Sequence, residues 1–183
     1  MRSRIIEAGL LFFAILFNPV PILITTVLLG TVFIFYDYKI RDLPPPTHEE
    51  QCAISVLYGL HALVVICVTG PMKAILKRPR PDNPKESSDP KIQATARFFN
   101  LRGHEYNKSM PSGDTSQSAA FAAYLCLYMP GLFTVLGGNM FQLRLVAAVA
   151  AARIFFHCHY IGDTLVGAMV GTLVTYGLAT LDV

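Results

Sequence analysis

The feature that most constrains this chain is the arrangement of its apolar residues in long runs that carry few charges. Six such runs cover approximately residues 5–17, 20–36, 52–72, 113–129, 141–156 and 161–181. A bilayer core about 30 Å thick needs about 20 apolar residues per helix, and backbone polar groups in lipid are satisfied within a helix. We therefore predict an all-α, polytopic membrane helix bundle with about six transmembrane helices, forming a single domain over residues 1–183.

The first two runs leave the arrangement of the N-terminal region open. The segment Asn18-Pro19-Val20-Pro21 separates them, and proline ends or kinks a helix. The first run is short for a span unless Arg2 and Arg4 reach back to the membrane surface. Residues 5–36 are therefore predicted to form either two short spans or one long bent span.

Composition narrows the class of partner. Charged residues are 15% of the chain, against about a quarter in soluble domains, so membrane lipids are the expected surroundings. A net charge of +3 is too small to indicate nucleic acid, and the four cysteines have no metal-like spacing. We predict no metal, no cofactor and no nucleic-acid partner. The sequence does not select among the endoplasmic reticulum, the plasma membrane and the mitochondrial inner membrane.

Three polar clusters interrupt this apolar pattern. They are Lys73–Pro81, Pro111–Asp114 and Arg153–Asp163. The first follows the third run, the second precedes the fourth, and the third joins the fifth to the sixth. Six spans would therefore bring all three clusters to the same membrane face, which is the convergence that a functional site requires.

Each cluster has a chemical and a structural interpretation. The cations of the first suit phosphate oxygens, but they equally suit anionic headgroups. In the second, Ser112 and Gly113 at a helix start favour an anion, or they are an ordinary helix cap. In the third, His159 and Asp163 are spaced to share a helix face, so that the carboxylate orients a nucleophilic imidazole or simply links two helices.

Taken together, the clusters resemble the three-part pattern of the lipid phosphate phosphatase (PAP2) superfamily. That pattern is K-x6-R-P, then P-S-G-H, then S-R-x5-H-x3-D. The matching residues, in the same order and at the same spacing, are Lys73, Arg80, Pro81, Pro111, Ser112, Gly113, Arg153, His159 and Asp163. The resemblance covers the segment from Lys73 to Asp163 and extends loosely to the six-span architecture.

The resemblance implies a metal-independent phosphomonoester hydrolase acting on lipid phosphates or diphosphates. His159 is the residue at the position of the family nucleophile, which forms a phosphohistidine, and Asp163 is at the position that orients it. The phosphate-binding positions correspond to Lys73, Arg80, Ser112, Gly113 and Arg153. The second histidine of the family pattern protonates the leaving alkoxide.

The chain departs from the pattern at two positions. Asp114 stands in place of the second histidine, and Ala152 stands in place of the serine before the arginine. An ionised Asp114 has no proton to donate, so catalysis would require one of three alternatives. In the first, Asp114 stays protonated and acts as the catalytic acid. In the second, His104 or His157 supplies the proton, and in the third the substrate has a good leaving group such as a diphosphate.

Two functions of different class follow. One is a working lipid phosphate phosphatase, motivated by the retained Lys, Arg, His and Asp residues. The other is a catalytically impaired PAP2-like protein that serves as an accessory subunit among other membrane protein subunits, motivated by the two departures. With six spans the motif face carries ten Lys and Arg residues against five, but family members usually place this face outside or in a lumen, so the orientation stays open.

Two local patterns complete the predictions. Residues 91–101 could form a short amphipathic helix at the interface. Pairs of small residues four apart, namely Gly167 with Gly171, Ala119 with Ala123 and Ala147 with Ala151, are typical of close helix packing in lipid.

Overall fold

The structure, a computed structural model, describes residues 2–104 and 108–181. In this part of the chain the elements are helices and no strand is present, although Pro79 and Lys108 form an isolated bridge. The helices are α1 (Arg2–Ile15), α2 (Pro19–Leu28), α3 (Ile34–Ile40), α4 (His48–Leu76), α5 (Pro90–Gln93), α6 (Gly113–Tyr128), α7 (Pro130–Val135), α8 (Asn139–Phe155) and α9 (Ile161–Ala179). A π-helical turn, Leu29–Phe33, joins α2 to α3.

The fold is the predicted all-α polytopic membrane helix bundle. Within residues 2–104 and 108–181, three helices are long and apolar enough to cross a bilayer by length and composition, namely Val20–Ile40, His48–Leu76 and Ile161–Ala179. Their outward faces carry exposed side chains such as Leu23, Val56 and Leu173. The helices α6 and α8 occupy the fourth and fifth predicted segments but are less apolar, because they contribute polar side chains to the interior of the bundle.

The N-terminal region forms two helices that meet at Asn18. Pro19 begins α2, and the helix then continues without interruption through the π turn to Ile40. Both halves of α1 contact the motif face: Glu7 Oε2 accepts a hydrogen bond from Phe98 N over 2.8 Å, and Ala14 O accepts one from Arg153 over 3.1 Å. Therefore α1 lies on the motif side, and the crossing to the opposite face is made by residues 19–40.

Local signals define the ends of α4. Thr47 and Glu50 form a reciprocal capping box at its start, which satisfies free backbone N–H groups. At its end Lys77 adopts a left-handed conformation with φ 47°, and its N–H donates to Lys73 O. This turn stops the helix directly before the Arg78–Pro81 segment, and it directs that segment back over the end of the bundle.

The central helix is α6, which is buried along most of its length and packs most closely on α9. A Cβ at Gly167 would lie 2.6 Å from Ser112 O, and one at Gly171 would overlap Ser116 O. Ala119 and Ala123 are also buried, so these two predicted small-residue pairs are confirmed. The third pair is wrong, because Ala147 and Ala151 are exposed and α8 turns the face with Arg153 inward instead.

The predicted amphipathic helix over residues 91–101 is also wrong. The helix there covers only Pro90–Gln93, and the following residues form turns. Backbone groups of Phe98 are bonded elsewhere, since its N–H donates to Glu7 and its carbonyl accepts from Lys85 Nζ over 3.0 Å. Tertiary contacts with α1 therefore replace the helical hydrogen bonds that the sequence pattern favoured.

Candidate phosphate-binding site

The fold brings the three polar clusters into contact at one end of the bundle. The first and third meet where Arg80 Nη1 lies 3.0 Å from His159 Nε2. The second and third meet where Ser112 N donates to Asp163 O over 2.9 Å. The first and second meet where Lys73 Nζ lies 3.7 Å from the position that a Cβ on Gly113 would take.

His159 lies in the turn between α8 and α9. This turn is closed by two backbone bonds, from His157 N to Ile154 O and from Cys158 N to Arg153 O, which is the pattern of a Schellman motif. His157 takes the left-handed position with φ 56°, where glycine is the usual residue. The turn reverses the chain so that His159 faces the bundle, with 2% of its surface exposed.

The contacts of His159 define its tautomer. Arginine N–H groups can only donate, so Nε2 of the neutral imidazole accepts from Arg80 and Nδ1 carries the proton. Nδ1 points toward Asp163 Oδ2 at 3.7 Å. Burial lowers the pKa of His159 to about 4, with Asp163 opposing and Arg153, Arg80 and Lys73 reinforcing the shift. The imidazole is therefore neutral at pH 7, as a nucleophile requires.

Asp163 is fully buried and held from several sides. Its Oδ2 accepts from Tyr160 N over 2.8 Å at the first turn of α9, and its Oδ1 pairs with Arg78 Nη1 over 3.0 Å. The guanidinium of Arg78 also covers the Tyr160 ring at 4.6 Å. Arg78 lies inside the first cluster but was not among the predicted site residues, because the family pattern marks only Lys73, Arg80 and Pro81 there.

Asp114 and Arg153 form a buried ion pair. Arg153 Nε lies 3.2 Å from Asp114 Oδ2, and the two residues are 2% and 9% exposed. Arg153 also donates to Ala14 O of α1. The residue that replaces the second histidine is thus bound to a cation that the sequence analysis assigned to the phosphate. Ala152 is buried in an apolar cluster with Ala14 and Phe156.

The start of α6 is only partly available to an anion. The Ser112 amide donates to Asp163, and the Ser112 hydroxyl contacts Thr115 Oγ1 over 3.0 Å. Gly113, the first residue of the helix, faces the Lys73 ammonium instead. A phosphoryl oxygen would therefore meet Gly113 and Lys73 before it met Ser112, whose N–H links the second cluster to the third.

Two clefts reach the site from different sides. The first, of about 250 Å³, runs from the site between α2 and α4; its lining residues are Phe17, Asn18, Ile22, Ile66, Thr69, Gly70, Lys73, Gly113, Asp114 and Gln117. The second, of about 540 Å³, borders the polar loops; its lining residues are Arg78, Pro81, Ile154, His157, His159, Tyr160, Ile161 and Gly162. The site is therefore open both toward apolar helix walls and toward the aqueous loops.

The two other histidines that were considered as catalytic acids lie away from Asp114. His104 is exposed in the short turn Arg102–His104. His157 lines the second cleft beside His159, whereas Asp114 lines the first. Burial and the charge of Arg97 both lower the pKa of His157, a shift that disfavours the protonated form that an acid needs. Among the described residues no group of three His, Cys, Asp or Glu side chains could hold a metal ion.

Comparisons with known proteins agree with this architecture. The family model described as the PAP2 superfamily matches residues 54–182. Among solved structures, the chain is similar to the first transmembrane PAP2 type phosphatidylglycerolphosphate phosphatase from Bacillus subtilis. The TM-score is 0.52 at 19% identity, over 96% of this chain and 83% of that one. No curated protein sequence matches. Since the family match covers more than half of the chain and all three clusters, this protein belongs to the PAP2 superfamily.

Proposed function

We propose that this protein is an integral membrane phosphatase that hydrolyses lipid phosphates or diphosphates through a phosphohistidine on His159. The observation that carries the proposal is the environment of the His159 imidazole. Its Nε2 lone pair faces Arg80 at 3.0 Å and its Nδ1 faces the buried Asp163 carboxylate. A neutral imidazole with an oriented N–H and a cation beside the attacking atom fits nucleophilic attack on phosphorus.

In the first step a phosphoryl group enters between His159, Arg80 and Lys73. Arg80 transfers its hydrogen bond from Nε2 to a phosphoryl oxygen, which frees the lone pair. The Nε2–P bond then forms as the bond from phosphorus to the leaving oxygen breaks. The resulting imidazolium is stabilised by Asp163, while Arg80, Lys73 and the Gly113 amide stabilise the charge on the phosphoryl oxygens.

The cleft between α2 and α4 supports a lipid as the substrate. Its inner end is formed by Lys73, Gly113 and Asp114, and its walls include Phe17, Ile22 and Ile66. A phosphate at the inner end would therefore extend its organic portion along apolar side chains toward the bilayer. The similar structure is that of a phosphatidylglycerolphosphate phosphatase, so this lipid belongs among the substrates to be tested.

The test is phosphate release by the purified chain in detergent micelles. The substrates are phosphatidic acid, phosphatidylglycerolphosphate and a prenyl diphosphate, and the variants are His159→Ala and His157→Ala. We expect release by the wild type, a loss of at least about 10³-fold in His159→Ala, and retention in the matched His157→Ala control. Equal activity in the wild type and His159→Ala would contradict the proposal.

The ion pair between Asp114 and Arg153 favours a second candidate, an accessory subunit of a membrane complex without catalysis. In this case the carboxylate acts as a permanent internal anion that occupies one of the phosphate-binding cations. Purification in a mild detergent would then recover the chain with stoichiometric membrane protein partners, and the wild type would release no phosphate from any of the three lipids. Active protein without partners would exclude this candidate.

A further inference from the structure

We propose that Asp114 makes this site selective for lipid diphosphates over lipid monophosphates, and that its carboxylate serves as the base for hydrolysis of the phosphohistidine. This inference rests on the proposed function and specifies its substrate class. It starts from the 3.2 Å contact between Asp114 Oδ2 and Arg153 Nε, an ion pair that fixes the side chain at the start of α6.

The first half-reaction depends on the leaving group. Attack on a monophosphate expels an alkoxide, a strong base that needs a proton in the transition state. Attack on the terminal phosphorus of a diphosphate expels a phosphate monoester, whose second pKa is about 6. That group leaves as a stable anion at pH 7, so the step proceeds without a proton donor at position 114.

The second half-reaction needs a base, which a carboxylate supplies. A water molecule attacks the phosphorus of the phosphohistidine, and Asp114 accepts one of its protons. The Nε2–P bond breaks, its electron pair returns to Nε2, and inorganic phosphate leaves. The proton on Asp114 passes to phosphate or solvent, so the cycle consumes one water and yields a lipid monophosphate and inorganic phosphate.

The charges around the site fit a polyanionic headgroup. Lys73, Arg78, Arg80 and Arg153 supply four cations, against the two carboxylates of Asp114 and Asp163. The surplus remains although Asp114 pairs with Arg153. Two more cations, Arg102 and Lys108, lie in segments that contact the Arg78–Pro81 segment, where they would meet the extra charge of a diphosphate.

The experiment compares farnesyl diphosphate with farnesyl monophosphate, which share one tail, using the full chain in micelles. We expect kcat/KM of the wild type to be at least about 10²-fold higher for the diphosphate than for the monophosphate. This factor is the lower end of the rate enhancement that a general acid contributes. Asp114→His should raise monophosphate hydrolysis. Asp114→Asn should slow diphosphate turnover about 10²-fold or more while accumulating acid-labile ³²P-phosphohistidine from the β-labelled substrate.

The outcomes separate this inference from the proposed function. Equal hydrolysis of both substrates by the wild type, or slow turnover of Asp114→Asn without phosphohistidine, would overturn the role of Asp114. If the His159→Ala variant kept the activity of the wild type, the assignment of His159 as the nucleophile, and with it the proposed function, would be overturned instead. Because Asn has the size of Asp, its effect on folding is checked by comparing the thermal transition of the variant with that of the wild type.

A different observation, the position of α1, carries a second inference about orientation. Because α1 contacts Phe98 and Arg153, Arg2 and Arg4 belong to the motif face, where Arg4 covers the Phe98 ring at 4.8 Å. Twelve of the fifteen Lys and Arg residues then lie on that face: Arg2, Arg4, Lys73, Lys77, Arg78, Arg80, Lys85, Lys91, Arg97, Arg102, Lys108 and Arg153. The opposite face has Lys39, Arg41 and Arg144.

We infer that the motif face, and with it the phosphate site, lies on the cytoplasmic or matrix side of the membrane. Short loops rich in Lys and Arg stay on that side. Removing Lys73, Arg80 and Arg153, which serve the site, leaves nine cations against three, so the asymmetry does not depend on the phosphate-binding residues. The substrate would then be supplied by reactions that release lipid phosphates into the leaflet facing the cytoplasm or matrix.

Cysteine labelling in intact bacterial cells, with the chain expressed in their inner membrane so that one of its faces lies outside the cytoplasm, tests the orientation. In a background in which all four native cysteines are changed to alanine, Ser88→Cys reports the motif face and Glu49→Cys the opposite face; both positions are exposed. A membrane-impermeant maleimide should label Glu49→Cys at once and Ser88→Cys only after permeabilisation. The reverse pattern, or immediate labelling of both, would overturn the inference.

Discussion

Arg80 donates a hydrogen bond from Nη1 to Nε2 of His159 over 3.0 Å, and the same guanidinium bonds the carbonyl of Cys158. The cation thus occupies the place that a phosphoryl group takes when the imidazole attacks it. Entry of the substrate would exchange one partner of Arg80 for another without exposing a buried charge.

This relationship predicts that activity depends on the shape of the side chain at position 80 and not only on its charge. In Arg80→Lys the charge remains, but one ammonium replaces the planar fork that reaches both the His159 turn and a phosphoryl oxygen. We expect kcat/KM for the preferred lipid to fall about 10²-fold or more. Lys85→Arg, an exchange of the same two side chains in the outer loop, is the control and should leave kcat/KM within about twofold. Wild-type activity in Arg80→Lys would contradict the assignment.

Arg78 is predicted to be a positioning residue. Arg78→Gln removes the ion pair that holds Asp163 Oδ1 while keeping a polar, although shorter, side chain. We expect kcat to fall about tenfold with little change in KM, because the affected group orients the nucleophile and does not bind the substrate. The neighbouring exposed cation Lys77 offers the matched variant Lys77→Gln, which should retain kcat. A change in KM alone for Arg78→Gln would show that Arg78 binds the headgroup directly.

The low pKa of His159 predicts how stability varies with pH. The pKa is about 4 in the folded chain and 6.5 in the unfolded one, so the unfolded state binds more protons between these values. The stabilisation is complete above about pH 6.5 and is lost as the pH falls toward 4; it amounts to about 3 kcal/mol. Thermal transitions in detergent should fall less steeply between pH 7 and 4.5 in His159→Gln than in the wild type. Parallel curves would contradict the buried neutral imidazole.

The cleft between α2 and α4 predicts a variant that blocks long lipids. A Cβ at Gly70 would meet no atom within 4 Å, so Gly70→Phe fits the helix and projects into the cleft. We expect the activity on a long-chain lipid phosphate to fall at least tenfold, while a short-chain soluble analogue is hydrolysed normally. Gly177→Phe, at an equally open position on α9, is the control. Equal loss on both substrates would indicate a disturbed site and would count against a lipid-binding cleft.

The contact between α6 and α9 predicts a glycine that the fold requires. A Cβ at Gly171 would overlap the carbonyl oxygen of Ser116, a backbone atom that cannot move away cheaply. Gly171→Ala should therefore lower the thermal transition by several degrees, the range expected for overpacking by about 1–3 kcal/mol. Gly177→Ala, which meets no neighbour, should leave it unchanged or raise it. Equal thermal transition temperatures in the two variants would show that α6 and α9 can move apart to accept the methyl group without loss of stability.

The sequence by itself determined the fold class and the composition of the candidate site. Long uncharged runs in lipid fold as helices, because no other structure satisfies their backbone, and Asn18-Pro19 fixed the break between the first two. The spacing of Lys73 with Arg80 and of His159 with Asp163 was equally visible, since these residues are close along the chain. Such information is local, so it can be read from the order of residues along the chain.

Only the tertiary structure decided how these residues are paired. Asp114 and Arg153 are far apart in sequence, and nothing local indicates that the residue replacing the acid binds a cation assigned to the phosphate. The contact of Phe98 with Glu7 likewise replaced a predicted helix and moved the first two arginines to the motif face. Such pairings depend on the relative placement of helices, which is set by close approach at residues such as Gly167 and Gly171. The physical reason is that packing acts between distant segments, whereas the sequence displays only neighbours.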